Sequence, residues 1–263
     1  MGHLPRRGRG VLSRRVGHGP GIAAVLLVAS AALVAPATGR AQDAGFFGPA
    51  EGIEFQPELD VFLHLADGVR LLLQVQDSAI PSEQNNSLAV GGFVDWFVAP
   101  VVRELVNPDK TLTHALNLRL GARYRGTLEP GTVGSAESVA IRFEATPRAF
   151  IPWNVLLSAR NRLQVNFNLG GDDSVTWIYR GRLQAQREFD LGGVALTPFA
   201  NVEFVWQSPP AMWDQFRMEA GLQASVHWFG QGQTLEVNYS TVTYLQPSRS
   251  WRPVLGFIWY QYF

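Results

Sequence analysis

The chain has 263 residues, 22 basic against 22 acidic side chains, and no cysteine. The missing cysteine excludes a disulfide framework, a thiolate-held metal and a lipid-anchored N-terminus. Six arginines lie within the first 41 residues; 22 basic residues less these six leave 16 against 22 acidic ones, a balance that excludes a nucleic-acid binder driven by bulk positive charge.

Residues 1–41 read as a secretory signal peptide: a basic lead (Arg6, Arg7, Arg9, Arg14, Arg15), an apolar run over 22–34 and small residues closing on Gly39-Arg40-Ala41. Cleavage is expected after Ala41, with Ala37 as the alternative. The run is shorter than the roughly 20 residues of a transmembrane helix, and no later segment reaches that length without polar interruption. A membrane-embedded chain of this sequence must therefore cross as strands.

Eleven segments have strand character: 58–65, 69–76, 88–98, 115–125, 138–146, 155–168, 176–189, 194–206, 216–229, 235–244 and 254–263. The clearest is 216–229. Phe216, Met218, Ala220, Leu222, Ala224, Val226 and Trp228 alternate there with Arg217, Glu219, Gly221, Gln223, Ser225 and His227, which gives a strand two faces in two different solvents. A dozen residues also suits a tilted strand crossing a bilayer. Single-chain bacterial barrels have even strand numbers, so a twelfth strand is expected from residues 46–55 of the N-terminal segment 42–57, or else one segment is a plug or lip. The barrel proper spans 58–263.

Ala66-Asp67-Gly68 is a hairpin turn between the first two segments. Counted back from a periplasmic C-terminus, short connectors (66–68, 190–193, 230–233) fall inside and longer ones (126–137, 207–214, 245–252) outside, as barrels show. The long connector 100–112 falls on the periplasmic side, where Val101, Val102, Leu105 and Val106 predict a short amphipathic helix. Trp177, Trp206, Trp213, Trp228 and Trp251 at segment ends suit interfacial girdles. The last segment alternates aromatics and closes on Phe263, so it resembles the strand that outer-membrane barrels present to the barrel assembly machinery; Gln261 departs from that pattern.

A soluble β-sandwich also alternates, but its charges lie in loops and on outer faces. Here one face carries arginines and carboxylates in strand after strand. With lipid on the apolar side, the lumen receives Arg70, Arg119, Arg123, Arg125, Arg142, Arg160, Arg162, Arg180, Arg182 and Arg217, against Glu58, Asp60, Asp95, Glu144, Glu188, Glu203, Glu219 and Glu236. Guanidiniums fit carboxylates fork to fork, so a cross-strand ladder is expected, with Arg217 meeting Glu203 or Glu236 and Arg142 among the neighbours of Glu144. The ladder has two readings. It fills a narrow barrel with paired charge, or Arg160, Arg162, Arg180 and Arg182 form a positive strip favouring anionic solutes.

Enzyme readings rest on three histidines beyond the leader, His64, His114 and His227. His227 shares a face with Ser225 and His64 with Asp60, but both pairs would project into the lumen, away from the lipid a lipase must reach. No Gly-x-Ser-x-Gly elbow, His-Glu-x-x-His helix or phosphate-binding glycine loop is present. Gly170-Gly171-Asp172-Asp173 reads as a polar turn. No catalytic residue, metal or cofactor is expected.

Residues 57–65 (Pro-Glu-Leu-Asp-Val-Phe-Leu-His-Leu), 156–163 (with Arg160-Asn161-Arg162-Leu163), 179–189 (with Arg180-Gly181-Arg182-Leu183 and Glu188-Phe189) and 196–203 (with Pro198 and Glu203) carry a resemblance. In this order they resemble a family of bacterial outer-membrane barrels catalogued as a domain of unknown function. The resemblance covers 54–263 and implies the fold and location without carrying over a catalytic residue. The expected protein is an all-β, transmembrane, antiparallel up-and-down barrel of ten to twelve strands, a monomer held in outer-membrane lipid, with a porin-like narrow channel for small solutes as the leading role. An outer-membrane enzyme acting on lipid or peptide and a structural or envelope-assembly barrel without an open pore are the alternatives.

Overall fold

Alternation with period two, sustained over long segments, lets one sheet bury a polar face only by curling on itself. The computed structural model of the protein describes residues 52–80, 85–98, 116–127, 137–169, 174–209, 211–226, 232–245 and 250–263. They form β1 (Glu54–Ala66), β2 (Val69–Ile80), β3 (Asn85–Val98), β4 (Leu116–Thr127), β5 (Ser138–Ile151), β6 (Val155–Asn168), β7 (Val175–Gln186), β8 (Phe189–Leu191), β9 (Val194–Ser208), β10 (Met212–Val226), β11 (Gln233–Tyr244) and β12 (Ser250–Tyr262). Each strand pairs with its chain neighbour except that β7 and β8 both pair with β9, and β12 returns to β1, which closes the sheet into a barrel.

β7 and β8 occupy one position in the ring. Gln186 faces Phe199 and Phe189 faces Leu196, so the register runs unbroken across Arg187 and Glu188. The ladder lapses because Pro198, opposite Arg187, accepts the Arg187 N–H at 3.2 Å but has no N–H to return. The ring thus has eleven positions, one for each segment read from the sequence, and the segment 176–189 is β7 and β8 together.

The expectation of an even strand number fails. With eleven positions the first and last strands must run the same way, and β1 pairs with β12 in parallel, from Glu54 opposite Val254 to Phe62 opposite Tyr262. Every other pairing is antiparallel. Of the segment 46–55 expected to supply a twelfth strand, Glu54 and Phe55 belong to β1, and residues 46–51 lie outside the described residues. A second consequence is that the chain enters the barrel at the rim opposite Phe263, which hydrogen-bonds Phe62 and His64.

The described connectors 67–68, 152–154 and 192–193 lie at the rim of Phe263, and the turn around cis-Pro209 at the opposite one. The amphipathic helix expected over 100–112, the leader and Trp228 lie outside the described residues. Trp177, Trp206, Trp213 and Trp251 gather at the rim opposite Phe263, on β7, β9, β10 and β12. Gln261, the departure in the final strand, is explained by a partner: buried, it accepts a hydrogen bond from Gln233 Nε2 at 3.0 Å across the β11–β12 pair.

The parallel seam is open to a covalent check, because this chain has no native thiol. Leu59 and Trp259 are register partners across it. Adjacent strands lie about 4.8 Å apart, within disulfide reach. Leu59→Cys with Trp259→Cys should oxidise to an intramolecular disulfide, seen as a reductant-sensitive gel shift. Leu59→Cys with Leu255→Cys, four residues out of register, should not.

Candidate functional site

The barrel interior holds a cavity of about 570 Å³ lined from every side of the ring, from Glu54, Ser87 and Asn166 toward one rim to Leu156, Gln186 and Tyr262 toward the other. Of the charges expected to face the lumen, Arg119, Arg123, Arg142, Glu144, Arg160, Arg162, Arg180, Arg182, Glu203, Arg217, Glu219 and Glu236 line it, as do Arg70, Arg125, Glu58 and Asp60, whereas Asp95 and Glu188 do not.

The charges are organised by register. One rung crosses β2 to β7 as Arg70, Asp95, Arg119, Glu144, Arg162 and Arg180. Charge alternates along this rung until its last step, where two arginines face each other. Asp95 is fully buried between the two arginines that flank it. Its Oδ1 accepts from Arg119 Nε at 2.6 Å and its Oδ2 from Arg119 Nη2 at 3.1 Å and Arg70 Nη2 at 3.2 Å. Glu144 accepts the Nε–H of Arg162.

A second like-charge encounter lies one step along the same strands, where Arg160 faces Arg182. Like charges directly opposed across a strand pair are destabilising, so both encounters need a counter-charge from a third strand. Glu203 on β9, register partner of Arg182 and 1% exposed, supplies it. Its Oε2 accepts from Arg160 Nη2 at 2.7 Å and Arg182 Nε at 3.0 Å, and its Oε1 lies 3.6 Å from Arg180 Nη1. The four arginines of the expected positive strip therefore all contact carboxylates.

Two expected rungs differ. Arg217 sits opposite Glu203 but pairs with Glu219, two residues along its own strand, at 3.2 Å, because three guanidiniums already occupy Glu203. Glu236 has no arginine among the described residues; Gln223 Nε2 (2.6 Å), Asn238 Nδ2 (2.8 Å) and the Tyr260 hydroxyl (2.8 Å) donate to it. Neutral donors such as Gln74, Gln223 and Asn238 were not singled out from the sequence. An amide on an inward position was the available signal.

Inward apolar groups gather near the rim of Phe263. Phe62, Leu72 and Phe93 are buried together with Tyr260 and Tyr262 against them. Phe62 stacks on Tyr262 at 4.8 Å, and the Arg70 guanidinium lies 4.2 Å from the Phe62 ring centre. Of the candidate catalytic pairs, His64 is exposed at the rim while Asp60 is buried and accepts from Gln74 at 3.1 Å, and Ser225 Oγ accepts the Ala195 N–H at 2.9 Å. His114 and His227 lie outside the described residues.

Glu203→Gln should lower the urea unfolding midpoint of the folded barrel, read by tryptophan fluorescence, by the equivalent of about 3–5 kcal/mol, because it strands buried charges. Glu236→Gln, whose partners are neutral, should cost less. No family model and no curated protein matches the chain. Among solved structures it is similar to the β-domain of the Bordetella autotransporter Brka, with a TM-score of 0.45 and 17% sequence identity over 73% of this chain and 83% of that one.

Proposed function

We propose that this chain is an integral protein of the bacterial outer membrane, a monomeric barrel held in lipid by its outer face and enclosing a narrow, charge-lined passage for small solutes. The observation that carries this reading is the inversion of the usual protein pattern. Leu120, Phe143, Leu183, Phe204, Met218 and Leu222 are exposed on the outside, while Asp95, Arg142, Glu144, Glu203 and Glu219 are buried within. A contiguous apolar exterior on this scale marks a surface made for hydrocarbon.

Strand length supports the same reading. The eleven ring positions are each at least 12 residues long, where about 9–11 tilted residues cross a bilayer. The tryptophans gathered at one rim suit an interfacial girdle. A signal peptide over 1–41 would deliver the chain, and the Phe263-terminated strand would engage the assembly machinery. The cavity volume falls in the range of sites for small organic solutes, about 300–1,000 Å³. No catalytic group enters this reading.

The aromatic cluster of Phe62, Phe93, Tyr260 and Tyr262 favours one rival, a structural barrel whose lumen is stopped on that side. Conductance of the purified protein in a planar bilayer under a salt gradient separates the two: discrete, ion-selective steps are expected, and silence would replace the passage with the stopped barrel. Lipid exposure has its own check. Leu120→Arg, near the middle of β4, should destabilise the inserted barrel by about 2–4 kcal/mol. Gln223→Arg, which places its charge beside Glu236 in the lumen, should be far milder in the same urea titration. Equal cost at both positions would overturn the facing assignment.

A further inference from the structure

Two buried lumenal arginines stand apart from the ladder's ion pairs. Arg142 is 6% exposed and Arg123 8% exposed, yet among the described residues neither has a carboxylate within ion-pair distance. The Nε of each is buried without a partner, and Arg123 is otherwise held only by a hydrogen bond from its Nη2 to Gln76. The strongest charges acting on Arg142 come from Arg162, Arg123, Arg180 and the single carboxylate Glu144, which Arg162 already engages.

The register sets them side by side in the lining of the cavity. Arg123 and Arg142 are diagonal neighbours on β4 and β5, since Arg123 faces Ala140 and Arg142 faces Gly121. Ala140 therefore contributes only a methyl group beside the two guanidiniums, and the Phe93 ring covers Gly121. Gly121 cannot be enlarged, because a Cβ there would lie 2.5 Å from the Phe93 ring and 2.2 Å from the Gly92 carbonyl oxygen. Phe93 lies across Gly121 as a floor, with the Arg142 guanidinium 5.8 Å from its centre.

We infer that Arg123 and Arg142 form a lumenal binding site for a small phosphate-class dianion, either the free ion or the phosphate group of a small solute. Two guanidiniums match the charge of a dianion, and each offers a planar fork that fits two phosphate oxygens. A pair of buried cations lacking counter-ions is costly to the empty barrel, and a bound dianion removes that cost. The site uses arginines distinct from the four gathered on Glu203 and Glu144.

The test is calorimetric titration of inorganic phosphate into the folded full-length protein in neutral detergent and phosphate-free, low-salt buffer. Saturable one-to-one binding is expected, weakened about tenfold or more by either Arg123→Gln or Arg142→Gln. Arg217→Gln, which removes a lumenal charge already paired with Glu219, should leave it nearly unchanged. Absence of saturable binding in the unaltered protein, or an equal loss in Arg217→Gln, would overturn the site. A second readout guards against misfolding: Arg142→Met should raise the urea midpoint without phosphate and abolish its stabilisation by phosphate, whereas a lower midpoint would make Arg142 a structural residue and sink the proposal. A hexose phosphate in a parallel titration identifies the source, tighter binding than phosphate supporting a solute that fills the cavity and weaker binding supporting the free ion. Binding is read in solution, so an electrically silent barrel that takes up phosphate loses the passage and keeps the site.

Discussion

A guanidinium packed inside a narrow barrel is largely removed from bulk water, so its stability rests on the carboxylates that neighbouring strands present to it. Two carboxylates carry most of that demand. Asp95 sits between Arg70 and Arg119, its register partners on either side, and Glu203 gathers Arg160, Arg180 and Arg182. The like-charge encounters between β6 and β7 are tolerable only because β9 brings Glu203 beside them.

These two hubs stand at the borders of an electrically lopsided lumen. On β4 to β7 the cavity is lined by nine arginines and one acid, Glu144. Around the rest of the ring it is lined by Glu54, Glu58, Asp60, Glu203, Glu219 and Glu236 against Arg70 and Arg217. Asp95 on β3 and Glu203 on β9 flank the arginine arc and neutralise the arginines within their reach, whereas Arg123 and Arg142 reach neither. A solute in the cavity meets a field across the barrel rather than along it.

Small and large side chains complement one another in the same space. The Phe93 ring lies over Gly121, and the Phe199 ring lies where a Cβ on Gly221 would stand, 2.6 Å from its Cζ. Inward aromatics over inward glycines fill a narrow lumen without crowding the opposite wall. Prolines obey the complementary rule. Pro57, Pro147, Pro198 and Pro253 all take outward positions, and at Pro198 the missing donor interrupts a strand without shifting its register.

Period-two alternation was enough to place all eleven ring segments and to assign every ladder charge to one face, because facing is a local property of an extended chain. Strand ends were less legible. β1 begins at Glu54 and β10 at Met212, several residues before the alternation becomes clear, since Pro57 and the register irregularity between Trp213 and Gln215 blur it. Parity, the parallel seam and the choice of ion-pair partners were decided by tertiary structure alone. Whether β1 meets β12 depends on closure of the whole ring, and whether Arg217 takes Glu203 or Glu219 depends on which guanidiniums three other positions have already delivered. The order of residues along one strand cannot encode the crowd waiting on the next.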